Sequence, residues 1–326
     1  MTYLSARATR VVFIGHGFLA FALVAAVATR AGLSRERTLA VGLLGGLFGL
    51  APDVDMAYAF LGVLEPTGES AVGSFWAAST EIHRVVTHSL VVGSVFGPAA
   101  GALASDRRPL QLLGAGALAG SVAVALTVSG GLPAVVVGLL AVTVAVLARG
   151  ARRYDIGPAA VTVAGVVGLC SHPFGDLLTG TPPAFLYPFD VTLIATRPNL
   201  LGDPTLNLLA PLAAELATFW LALGVYLWLV RGDHPLRHVR RRLRTRAGLA
   251  TLFAAFVVVA PDPTLHTAYL FVFSLLALSL AVATPLPALD VRSLSDLRGE
   301  PFTTGVTGLA AITLATATYT VAYLAV

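Results

Sequence analysis

Apolar residues run along this chain in long blocks separated by short polar stretches. The first block, 11–29, is interrupted by one ionisable side chain, His16. Nine more follow at 38–62, 85–105, 110–128, 131–148, 157–179, 208–230, 247–261, 264–285 and 305–326. A membrane-crossing helix needs about 20 mostly apolar residues, and shorter ones are workable at the edge of a bundle. The pattern therefore predicts an all-α fold, a polytopic transmembrane helical bundle with about 8–10 membrane helices. Two places strain it: "SGG" leaves little room for a turn between 110–128 and 131–148, and 247–261 is short. The one long loop is 180–207, rich in proline and polar residues, and no stretch marks a soluble domain.

Composition agrees with the pattern. Hydrophobic residues make up 56% of the chain and charged residues only 12%, about half the charge of a soluble domain. This is the composition of an integral membrane protein, so the net charge of +4 is no argument for nucleic acid. What matters is where the positive charge sits. All 21 basic residues are arginines. If every block crosses, the loops 30–37, 106–109, 149–156, 231–246 and 286–304 share one side and hold 17 of the 21. That excess predicts a cytoplasmic location for those loops and places both termini outside. Arg7, Arg10 and an "AVA" at 26–28 resemble a cleaved signal, but the first block is long enough to span and is expected to be retained. The single cysteine, Cys170, excludes an internal disulfide.

Glycines are spaced for close helix contact. Gly42, Gly45, Gly46 and Gly49 line the second block, and Gly93, Gly97 and Gly101 the third. Small residues at four-residue spacing let helices approach in lipid.

The ionisable residues inside the blocks are few and gathered. His16 lies near the outer end of the first helix, and "APDVD" sets Asp53 and Asp55 at the outer end of the second. "EIHRVVTHS" brings His83, Arg84 and His88 into the third from outside, and "SHPFGD" puts His172 and Asp176 at the outer end of the sixth. Parity alone carries all of them to one side. A histidine alone on an apolar helix is commonly a satisfied core residue, and "PD" at a helix end is a common turn. Their convergence is what points to function, because ionisable groups are costly in lipid.

Spacing refines the chemistry. His172 and Asp176 are four apart and share a helix face, offering a nitrogen and an oxygen to Zn²⁺ or a similar ion. His83 and His88 are five apart, about 140° around a helix, so they cannot both reach one ion from a straight helix. Either the helix starts between the histidines, or one is a ligand and the other orients it or transfers protons. Asp53 and Asp55 pose the same problem, with one expected to orient its neighbour's ligand. Arg84 suits an anionic group such as phosphate. Asp262 and His266, four apart, are a further possible metal pair, and Glu215 a possible general base.

An early His16, then Pro52-Asp53-Val54-Asp55, then His83-Arg84-Val85-Val86-Thr87-His88-Ser89, then His172-Pro173-Phe174-Gly175-Asp176, resembles the YdjM-like family of membrane-bound metal-dependent hydrolases. The resemblance covers about residues 10–190. It implies a distant similarity to zinc-dependent phospholipase C, whose metals are held by histidines and aspartates. One departure is plain: the second helical His-x-x-x-Glu pair of those phospholipases is missing here, which favours one or two ions over three.

These readings define the expectations. Residues 1–190 form the metal-site membrane domain, and 191–326 add helices to it. His16, Asp53, His88, His172 and Asp176 are the metal ligands; His83, Arg84 and Asp55 are the catalytic partners. The cofactor is a divalent metal, Zn²⁺ first, as one or two ions. The protein sits in the plasma membrane with its site on the extracytoplasmic side, and hydrolyses a phosphoester or lipid headgroup. Its partners are membrane lipid and a small or lipid-linked phosphoester, with no nucleic acid. The competing reading is a transporter or channel that uses its histidines and aspartates for ions or protons.

Overall fold

The computed structural model describes residues 15–60, 74, 84–178, 180–232, 234–264, 267–284 and 300–326. These residues are helix and loop, without a strand among them, as the long apolar blocks predict. α1 (Gly15–Arg30) and α2 (Arg35–Leu50) are joined by a tight connection. Ser34 caps α2 by accepting from the Arg37 N–H, a donor that a helix start leaves open. Pro52 then ends the regular helix. It has no N–H to give the Phe48 carbonyl, which takes the Ala51 N–H instead. The chain tightens into a 3-10 helix over Ala51–Tyr58.

α3 (Leu90–Ala104), α4 (Arg108–Ser129), α5 (Gly131–Arg153) and α6 (Pro158–Asp176) follow. The doubtful "SGG" junction is a true break. Gly130 adopts φ +90°, open to glycine at little cost, and both helices end on it. The chain continues through α7 (Leu206–Arg231), α8 (Pro235–Arg242), a 3-10 helix Thr245–Ala255 running into α9 (Phe256–Val259), α10 (Ala268–Ala283) and α11 (Glu300–Ala325).

Each of the ten apolar blocks contains helix in the residues described. Among the described residues, six stretches are long and apolar enough to cross a membrane: Arg35–Tyr58, Arg108–Ser129, Gly131–Arg153, Pro158–Asp176, Leu206–Arg231 and Pro301–Ala325. The remaining four are shorter. Two details differ from expectation. The third helix begins at Leu90 rather than at 85, and the arginine-rich stretch 231–246 contains α8, a basic helix the apolar pattern does not reveal.

The described chain forms two compact units. One takes in residues up to Arg197 together with Leu221–Val230 of α7. In it α6 packs on α1, α2 and α3, and the α4–α5 hairpin packs on α3. Its core includes Val24, Phe48, Phe96, Leu140 and Leu169. The glycines make its seams. A methyl on Gly45 would fall 2.5 Å from Val24, one on Gly97 would fall 2.6 Å from the Val166 nitrogen, and one on Gly168 would fall 2.7 Å from the Gly45 carbonyl. The helices thus meet backbone to backbone, as small residues permit in lipid. The other unit gathers Pro198–Trp220 with the chain from Arg231 on, around Leu275, Phe253 and Tyr319.

Candidate metal centre

Four chain segments of the first unit bring ionisable side chains to one place. His16 comes from the first turn of α1, Asp53 and Asp55 from the 3-10 helix, and His172 and Asp176 from the last turns of α6. Arg84, Thr87 and His88 come from the irregular stretch before α3. His16, Asp55, Arg84, His88, His172 and Asp176 are all buried, and Asp53 alone keeps a partly open side chain, 32% exposed. His83 lies outside the described residues, as does His266.

The stretch before α3 is irregular for a reason found elsewhere in the chain. The Ala184 N–H donates to the Arg84 carbonyl, and the Leu90 N–H donates to the Phe185 carbonyl. The Ser89 hydroxyl donates to the Tyr187 carbonyl at 2.7 Å and caps α3 by accepting from Val91 and Val92. Backbone groups that a longer helix would use internally are therefore spent on residues 184–187. Arg84 turns the chain with φ +70°, an uncommon conformation for a residue with a side chain. His88 therefore precedes α3 rather than standing on it.

The imidazoles of His88 and His172 face each other with their Nε2 atoms 2.9 Å apart. The His172 Nδ1–H donates to the Gly49 carbonyl at 2.7 Å, so in the neutral ring its Nε2 carries a lone pair. The Thr87 hydroxyl donates to Asp55 Oδ2 at 2.8 Å and lies 2.9 Å from His88 Nδ1. With its O–H donating to Asp55, Thr87 accepts from the His88 Nδ1–H, and in the neutral ring His88 Nε2 also carries a lone pair. Two lone pairs at this distance repel unless a cation, a proton or a metal ion, lies against them.

Carboxylate oxygens surround the same point. Asp176 Oδ2 is 2.9 Å from His88 Nε2 and 3.7 Å from His172 Nε2, and Asp53 Oδ1 is 3.8 and 3.5 Å from the same two atoms. Donors around a tetrahedral ion with bonds of about 2.0–2.2 Å sit roughly 3.3–3.6 Å apart. The observed spacings straddle that edge length. Asp53, His88 and His172 form one group able to hold a metal, and His16, His172 and Asp176 form another that shares His172. His16 Nε2 is 3.4 Å from the second oxygen of Asp176. Buried nitrogens and carboxylates in this mixture suit a borderline first-row ion.

The pairs raised by the sequence divide their work. In the 3-10 helix two residues apart point about 120° apart. Asp53 therefore meets the Nε2 side of His88, while Asp55 Oδ2 is 3.4 Å from its Nδ1. Arg84 is buried against Asp176: one guanidinium nitrogen is 3.1 Å from Oδ1, and the other donates to the Asp176 and Thr181 carbonyls. A methyl on Gly180 would lie 2.6 Å from that guanidinium, so the glycine makes room for it.

Among the outer contacts, Thr87 belongs to the His83–Ser89 motif, whereas no sequence signal marks the Gly49 carbonyl or Arg197. Thr87 and the Gly49 carbonyl orient the two imidazoles, the kind of outer contact that holds metal-binding histidines in place. Arg197, from the long loop, donates to the Leu178 carbonyl at 2.7 Å. Burial, and then the like charge of Arg84, pull Arg197 below its ordinary pKa. Glu215 is buried on α7 and belongs to neither donor group among the described residues.

No curated protein and no solved structure matches the chain. Residues 11–282 match the family described as YdjM inner membrane protein, well past the 190 residues that carry the His and Asp motifs. With six helices fit to cross a bilayer and a family match over most of its length, the chain belongs to the YdjM family and is an integral protein of the plasma membrane.

Proposed function

We propose that the protein is a membrane-bound metal-dependent hydrolase acting on a phosphoester or lipid-headgroup substrate at the extracytoplasmic interface. The observation that carries this reading is the pair of imidazole Nε2 atoms 2.9 Å apart, flanked by Asp53 and Asp176. His88, His172, Asp53 and Asp176, with His16 beside Asp176, would hold one or two divalent ions, Zn²⁺ first. Bound there, such an ion supplies Lewis acidity and makes a water nucleophile available near neutral pH.

The chain's own groups set the rest. The Gly49 carbonyl and Thr87 orient the two imidazoles, and Asp55, which accepts from Thr87 and lies 3.4 Å from His88 Nδ1, steadies any positive charge on His88. Arg84 holds the Asp176 carboxylate in place rather than standing open as a phosphate clamp. Asp53 is the most exposed of these groups, so substrate enters past it. Hydrolysis adds water across the ester, with the hydroxyl going to phosphorus or carbon and a proton to the leaving alcohol. By its place in the motif, His83 is the candidate carrier of that proton.

The sidedness rests on charge. In the first unit, Arg30, Arg35, Arg108, Arg152 and Arg153 stand at the helix ends opposite the His and Asp cluster. Arginine excess marks the cytoplasmic face.

The test is metal content of the purified protein and of His172→Ala, together with hydrolysis of bis-p-nitrophenyl phosphate and p-nitrophenyl esters. Metal bound by the wild type and lost from the variant, with hydrolysis lost in parallel, supports the reading. Wild type without metal removes it. Metal without hydrolysis of any ester turns the reading to transport or helix clamping.

A further inference from the structure

The chain leaves the membrane-crossing helix α7 at Arg231 and begins α8 at Pro235. Residues 231–246 hold seven arginines against one carboxylate, Asp233. α8 itself reads PLRHVRRR, and none of its residues is buried. Its arginines, Arg237, Arg240, Arg241 and Arg242, are all exposed. At 8 residues it is far too short to cross a bilayer. Residues three apart are neighbours on a helix, so Leu236 and Val239 share one edge, with Arg237 and Arg241 on the opposite side. Leu236 is 82% exposed, an apolar side chain left bare among positive charges.

Contacts fix where this helix lies. The ring of His238 meets that of Phe302, in the first turn of α11, with centroids 5.6 Å apart. Just past α8, the Arg244 N–H donates to the Thr307 hydroxyl of α11, and the Arg246 guanidinium donates to the Ala283 carbonyl at the end of α10. Pro301–Ala325 is long and apolar enough to cross a membrane, so α8 is held at the end of a crossing helix, the level of the lipid headgroups.

We propose that α8 is an interfacial anchor that binds anionic phospholipid, with its arginines among the phosphate headgroups and Leu236 at the acyl boundary. Three observations select this occupant. The charge is one-sided, seven against one, and a basic cluster next to a membrane helix attracts anionic headgroups. The end of α7 and the start of α11 both set the segment at the membrane surface. The bare Leu236 suits a surface with an apolar layer beneath its charge, as in helices that lie in the interface plane, and has no use for a nucleic acid. None of these residues belongs to the metal centre, so the proposal does not depend on the hydrolase reading.

The experiment uses the full chain in nanodiscs of phosphatidylglycerol or of phosphatidylcholine. Cys170→Ser with Leu236→Cys places an environment-sensitive fluorophore at the exposed position. In phosphatidylglycerol its emission is expected to shift to the blue and to be quenched by lipids brominated on the acyl chain. Both effects are expected to weaken in phosphatidylcholine, and in phosphatidylglycerol at high salt. Arg240→Gln, Arg241→Gln and Arg242→Gln combined are expected to lower the preference for phosphatidylglycerol by about tenfold or more, read by native mass spectrometry of retained lipid. The same three positions as Arg→Lys are expected to keep most of it, because the attraction is one of charge. The proposal is overturned if the fluorophore responds equally in both lipids, or if the glutamine variant keeps the preference. It is also overturned if the lysine variant loses as much as the glutamine variant, or if a single-stranded oligonucleotide shifts the emission and phosphatidylglycerol does not.

Discussion

Nε2 of His88 lies 2.9 Å from Nε2 of His172, and each ring is held in that pose by a bond at its far nitrogen. The two rings are contributed by residues 84 positions apart, one before a helix and one near the end of another. Removing either nitrogen should empty the site. Metal content of His88→Ala and His172→Ala is expected to fall at least tenfold below wild type by elemental analysis, in the manner of losing a direct ligand. Retention of metal by both variants would show that the facing nitrogens share a proton instead.

Thr87 is the sharper probe, because it does not face the donor cluster. Thr87→Val keeps the shape and removes the hydroxyl that joins Asp55 to His88. The expected cost is about 10–100-fold in metal affinity, with Thr87→Ser close to wild type. Equal loss in both variants would assign the effect to packing. The measurement is competition with a chelator of known affinity.

Arg84 should matter to stability more than to substrate. Its guanidinium is the cation against the buried Asp176 carboxylate, and breaking such a pair costs about 3–5 kcal/mol. Arg84→Ala is therefore expected to lower the melting temperature markedly. Arg84→Gly should recover up to roughly 1 kcal/mol of that loss, since φ +70° suits glycine. An Arg84→Ala protein of unchanged stability but raised KM would return Arg84 to the substrate.

Gly168 tests the seam that the site hangs on. A methyl there meets the Gly45 carbonyl at 2.7 Å and the Gly49 nitrogen at 2.8 Å, backbone that cannot turn aside. Gly168→Ala should cost about 1–3 kcal/mol as overpacking. Because Gly49 also orients His172, metal affinity should fall with it. A variant destabilised but with undiminished metal affinity would separate the two.

Orientation has its own measurement. Reporter fusions within 231–246, which holds the basic helix α8, are expected to report the cytoplasmic side. An outside result would invert the whole arrangement.

Much of this was legible in the sequence, for physical reasons. Membrane helices announce themselves because lipid demands long apolar runs, and Gly45, Gly49 and Gly97 lie where the helices touch. The gathering of His16, Asp53, His88, His172 and Asp176 followed from counting crossings, which needs no coordinates. What stayed hidden depends on contacts between distant residues. The helix expected from 85 starts at Leu90 because Arg84 and Ser89 bond to 184–187, about a hundred residues later. Likewise nothing local says that Arg84 will be paired with Asp176, or that Thr87 will join Asp55 to His88.

Gly49 lets α2 lie against α1, where a methyl would be 2.6 Å from Ala20, and its carbonyl also steers the ring of His172. Helix spacing and ligand aim are thus one mechanical variable at this residue. Any substitution that widens the α2 seam at Gly49 therefore also moves the acceptor that orients the His172 ring.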